Sequence, residues 1–225
     1  MADKYERFVA SYLRLNGYFT VPNFIVHAGD DPTRVSAGQV GNYTETDILG
    51  VRMPYSREVA GALHIANDPL LVNDAVGKPD IVVAEVKSGN ENRPNRVWRE
   101  MAANPSISYI VRFVGLQRED EIPQVAQALA TGFRFEDCNC RFRYIVFAKE
   151  PNEHYQSRGV TYITFREVIT FIVTVRGQSW IEENIGVASI HDQWDDILTT
   201  MFAIANRTDC SVQKRVEEIE TFLAT

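Results

Sequence analysis

The chain has 225 residues, 45% of them hydrophobic, with a formal net charge of −7. That is enough apolar material to bury a full core as one large domain or as a domain with an appendage. The acidic balance argues against a generally sticky nucleic-acid binder, because phosphate contacts need Lys and Arg, and it leaves room for a local basic groove or for acidic residues partly neutralised by metal.

Tyr5, Phe8, Val9, Tyr12 and Leu13 recur at helical spacing, and Asn16-Gly17 supplies a stop, so a helix is predicted from about residue 3 to 16. Tyr18 to His27 reads as a strand rich in aromatic and β-branched residues. Residues 28 to 42 are loop, and Tyr43 to Arg52 is a second strand with Asp47 inside it. Pro, Gly, Asn and Asp make residues 53 to 78 an irregular excursion before a third strand over 80–87.

A polar turn at 88–92 then leads into a predicted helix from Pro94 to Ala103. Residues 106–115 keep a helical period in β-branched residues, which leaves helix and strand both open there. Ile122 to Thr131 is predicted as helix, Arg141 to Ala148 as strand, and Thr164 with Glu167 has the spacing of a capping box before a helix over 165–176. Helices at roughly 191–206 and 211–224 close the chain. The expected architecture is α/β, with a core over residues 1–150 and a mostly helical extension over 151–225 packed on it.

The stretch Ile81-Val82-Val83-Ala84-Glu85-Val86-Lys87 carries the strongest chemical signal. Residues i and i+2 of a strand share a face, so Glu85 and Lys87 stand side by side at the strand's exit. A Glu-x-Lys on a strand is usually a solvated edge pair of little energetic weight. Here the preceding apolar run implies a strand buried on both faces, where a charged pair is unusual. Asp80 lies five residues before Glu85, an odd separation that points the two carboxylates to opposite faces. Asp47 is therefore the better partner for Glu85, and Glu45, on the same strand face as Asp47, is a weaker candidate.

The order helix, strand, strand with an internal Asp, strand ending Glu-x-Lys, helix resembles the PD-(D/E)xK nuclease superfamily. The resemblance rests on Glu6, Asp47, Glu85 and Lys87 and covers roughly residues 1 to 103. It implies a restriction endonuclease-like core (αβββαβ, a central mixed sheet flanked by helices) and a metal-dependent DNA endonuclease. On that footing Asp47, Glu85 and the Val86 carbonyl hold Mg2+, for which Mn2+ can substitute, because Mg2+ takes hard oxygen ligands. Lys87 orients the attacking water or offsets charge on the phosphate, and Glu6 completes the site through water. DNA is the implied partner, and a homodimer is left open. The alternative is a catalytically inactive nuclease-fold module that binds DNA or a protein.

Arg93, Arg96 and Arg99 follow the Glu-x-Lys strand and are candidates for DNA backbone contacts, with a solvated helix face as the plainer alternative. Trp98 reads as a packing residue. Cys138, Cys140 and Cys210 are an odd number and too few for a zinc site. His27, His64, His154 and His191 are scattered, with no metal-helix spacing. No apolar run approaches a membrane span and no leader pattern precedes the first helix, so a soluble, cytoplasmic protein without a membrane partner is expected.

Overall fold

A computed structural model describes residues 3–26, 44–56, 59–60, 63–64, 66–72, 77–99, 105–177 and 196–225. The expected loop at 28–42, His27, His191, and the helical residues expected at 100–103 and 191–195 lie outside the described residues.

Helix α1 (Lys4–Leu15) begins with the Asp3 N–H donating to Glu6 Oε2 at 3.0 Å, and ends where Gly17 takes a φ of 84° that a side chain would resist. It leads into β1 (Tyr18–Val26), β2 (Thr44–Arg52), a small two-stranded pair β3 (Val59–Ala60) and β4 (Leu63–His64), and then β5 (Asp80–Lys87). Three helices follow: α2 (Arg96–Arg99), α3 (Pro105–Val114) and α4 (Ile122–Gly132). Strands β6 (Arg134–Glu136) and β7 (Arg141–Ala148), the short helix α5 (Glu153–Gln156) and β8 (Thr161–Thr164) come next. The chain then continues through α6 (Phe165–Phe171), a π-helical turn (Ile172–Arg176), α7 (Asp196–Ala205) and α8 (Val212–Ala224).

The protein is α/β, with a mixed six-stranded central sheet flanked by helices and further helices at the C-terminal end. β1, β2 and β5 form an antiparallel meander; β7 runs parallel to β5, and β6 and β8 share the far side of β7. The open reading at 106–115 resolves as helix α3, because Ile107, Ile110 and Val111 bury one face and that packing outweighs their β-branched preference. Strands β3, β4, β6 and β8 and the short helix α5 have no counterpart among the predicted elements, and β3 and β4 fall inside the stretch 53–78 expected to be irregular.

β5 explains why the sheet divides two cores. Ile81, Val82, Val83 and Ala84 are each 0% exposed. Val82 and Ala84 join α1, α6, α7 and α8 on one face, while Ile81 and Val83 meet Trp98, α3 and α4 on the other. Each fully buried Val or Ile contributes roughly 1.5–3 kcal/mol, so the strand is held firmly in register from both sides. The predicted capping box of α6 is present: Glu167 N–H donates to Thr164 Oγ1 at 3.2 Å, and Thr164 N–H donates to Glu167 Oε2 at 2.7 Å. No helix among the described residues is long and apolar enough to cross a membrane.

Candidate functional site

The sheet opens where β2 and β5 carry their acids. Their ladder runs from Arg52↔Asp80 to Ile48↔Ala84 and stops one pair short of Asp47 and Glu85. On the other side, the β1–β2 register skips Asn23, whose φ of 50° lies opposite Asp47. The Asp47 backbone is thus outside both ladders, and its Oδ2 instead accepts the Val86 N–H at 2.6 Å.

Glu85 is 3% exposed and is held by two hydrogen-bond donors and one ion pair. Its Oε2 accepts the Asn95 N–H at 3.0 Å and the Tyr144 hydroxyl. Lys87 Nζ lies 2.5 Å from Oε1, yet Oε1 accepts no aligned hydrogen bond among the described residues; the contact is one of charge. Lys87 directs its donor to Asn95 Oδ1 at 2.9 Å. Glu85 and Lys87 share a face as the period of two requires, and Val86 between them turns to the other core.

The electrostatics follow from this crowding. Burial pushes the Asp47 carboxyl up to about 6; the Val86 N–H opposes the rise, and the charges of Glu85 and Glu6 add to it. Burial also raises Glu6, against the Asp3 N–H that it accepts, with Asp3 and Glu45 adding repulsion. Tyr144 and Tyr162 are both raised, first by burial and then by the charge of Glu85. Glu6 is half-buried on α1, where it serves the helix's first turn, and it reaches Asp47 through its charge. Among the described residues no three His, Cys, Asp or Glu side chains converge as a metal-holding group, so Glu6 does not join Asp47 and Glu85 in a three-acid cluster.

Asp80 sits at the opposite end of β5, held by Arg141 at 2.9 Å, Arg143 at 2.5 Å and the Tyr18 hydroxyl. Burial pushes its carboxyl up, but the Arg141 and Arg143 contacts outweigh that and hold it below the ordinary carboxylate range. Glu45 is exposed. Arg93 is exposed and paired with Glu91 at 2.7 Å, while Arg96 and Arg99 are exposed on α2. Trp98 packs as expected, 4% exposed and stacked on Tyr144 with ring centroids 4.2 Å apart. Cys138 is exposed and Cys140 buried, both as free thiols, and His154 is exposed on α5.

Tyr144, Asn95, Asn92 and Tyr162 are the site residues that sequence reasoning missed. Tyr144 looks like any core aromatic until β7 is placed beside β5 with Val83↔Tyr144 in register. No family model matches this chain, and neither curated proteins nor solved structures give a match.

Proposed function

We propose that this protein is a metal-dependent DNA endonuclease of the PD-(D/E)xK type, working on phosphodiester bonds with Mg2+ or Mn2+. The observation that carries the reading is the meeting of Asp47, Glu85 and Lys87 at the parted ends of β2 and β5. The element order α1–β1–β2–β5–helices–β7, with an antiparallel meander followed by a parallel strand, supports the resemblance to that superfamily core.

The donor set suits a hard divalent cation. Glu85 is buried and Asp47 half-buried, each within reach of the other's charge, and among the described residues Glu85 Oε1 has charge nearby but no aligned hydrogen bond. A strand residue sends its N–H and C=O to the same neighbour. Val86 aims its N–H at Asp47, so its carbonyl lies along the same edge of β5. Asp47, Glu85 and that carbonyl would hold the ion, which when bound polarises the phosphodiester and acidifies a water. Lys87 supplies a fixed positive charge where phosphate charge builds up, held in place by Asn95. The half-buried Glu6 keeps that end of the site negative and so favours a cation.

Plasmid nicking in MgCl2 tests the reading, with EDTA and Glu85→Ala as controls. Nicking is expected for the wild type alone, with the variant at least about a hundredfold slower. Cleavage that survives both controls sinks the assigned mechanism. A second reading, a catalytically silent nuclease-fold module that binds DNA or a protein, draws on the Glu85–Lys87 pair at 2.5 Å, which lets the site balance its own charge. Titration with MnCl2 separates the two: a folded chain that takes up no Mn2+ or Mg2+ favours the silent module.

A further inference from the structure

The segment from Asn92 to Trp98 touches the site at every third residue. Asn92 anchors it: its Nδ2 donates to the Glu150 carbonyl at 3.1 Å, its Oδ1 accepts Asn152 Nδ2 at 3.0 Å, and its carbonyl accepts the Tyr162 hydroxyl at 2.9 Å. Asn95 follows, with its N–H on Glu85 and its Oδ1 on Lys87. Trp98 then covers the Tyr144 ring in a near-parallel stack, 19° between planes, and the Tyr144 hydroxyl returns to Glu85.

Tyr144 and Asn95 both act on the same oxygen, Oε2, which fixes the carboxylate's rotation and leaves Oε1 toward Lys87. A purely structural role explains this poorly. Burying a charge is costly unless it is fully paired, and apolar residues of similar volume often do as well or better in a scaffold. Two hydrogen-bond donors, from β7 and a loop, and an ammonium from β5 brought to one carboxylate are instead what a site needs when a ligand must meet that carboxylate in one orientation.

We propose that Tyr144 is a positioning residue for the phosphodiester chemistry, holding Glu85 by its hydroxyl and held in turn by the Asn92–Trp98 strap. This rests on the nuclease reading above. The strap runs directly into the surface of α2 that carries Arg96 and Arg99, so a DNA backbone lying on α2 would press on the element that orients Glu85.

The test combines Mn2+ titration calorimetry with nicking kinetics on the wild type, Tyr144→Phe and Glu85→Gln. Tyr144→Phe keeps the stacked ring and removes only the hydroxyl. It is expected to bind Mn2+ about tenfold more weakly and to lose about tenfold in kcat, with KM for DNA unchanged. Wild-type Mn2+ affinity and kcat in that variant would overturn the proposal, whatever its thermal midpoint. If Tyr144→Phe does not fold, Trp98→Phe loosens the stack and leaves the hydroxyl; about a threefold loss in Mn2+ affinity supports the proposal and none overturns it.

A wild-type chain that neither binds Mn2+ nor nicks DNA removes the nuclease reading itself. A metal-free thermal double-mutant cycle of Tyr144→Phe with Glu85→Gln then decides whether the Tyr144 hydroxyl holds Glu85: strong non-additivity supports that hold and simple additivity overturns it.

Discussion

Asp47 bears an unusual burden for a single carboxylate. It is placed between parted strands, near two other acids, and among the described residues its carboxylate accepts the Val86 N–H. Its pKa rises from 3.8 to about 6, so the folded chain holds a proton that the unfolded chain releases earlier. The stability contributed by the protonated form is fully present below about pH 4 and is lost as pH rises through about 6. At 1.36 kcal/mol per unit, the loss is on the order of 3 kcal/mol. Asp47→Asn is therefore expected to raise the thermal midpoint near pH 7.5 and to flatten the decline between about pH 4 and 6, while weakening Mn2+ binding. Thermal unfolding across that range checks it; an Asn variant less stable than the wild type at neutral pH contradicts the account. Metal binding competes with the same proton, so Mn2+ affinity of the wild type should climb through pH 6.

At the scale of the element, β5 serves two purposes at its two ends. Its first residue, Asp80, pairs with both Arg141 and Arg143 inside the fold, and its last residues face the candidate site. Removing one partner of a buried ionic cluster leaves uncompensated charge and costs about 3–5 kcal/mol. Asp80→Ala should thus lower stability by that amount in urea unfolding and leave the Mn2+ affinity of the remaining folded protein unchanged. A selective loss of Mn2+ binding without destabilisation would reverse the assignment. The alternation along β5 made this division legible from spacing alone, since an odd separation sends Asp80 and Glu85 to opposite faces. The order and bounds of α1, β1, β2, β5, α4 and β7 were legible for a similar reason, each having a sustained period and a clear stop. β6 and β8, at three and four residues, are too short for alternation to register. Tyr144 and Asn95 stayed hidden for another cause: one depends on the register of a parallel neighbour, the other on a loop folding back, and neither is written in local spacing.

For the molecule as a whole, a net charge of −7 must be reconciled with the polyanionic substrate proposed for it. The reconciliation proposed here is local: Arg96 and Arg99 stand exposed on α2 beside the strap, and a bound divalent cation offsets the acids. Counterion release predicts that each phosphate contact contributes about 0.9 to the slope of log affinity against log salt. Arg96→Ala and Arg99→Ala should each reduce that slope by about this amount and weaken binding alike for all sequences, as read by fluorescence anisotropy in EDTA. Unchanged slopes would move the DNA path away from α2.

The gap in the sheet at Asp47 has a consequence for how the backbone itself behaves. In an unbroken ladder the Val86 amide would be shielded by a neighbouring carbonyl, a partner that never changes charge. Here it is shielded by a carboxylate that titrates near neutrality. Solvent exchange of that single amide hydrogen is thereby tied to the protonation of a side chain on the next strand, so the main chain of β5 carries a reporter of the site's chemical state.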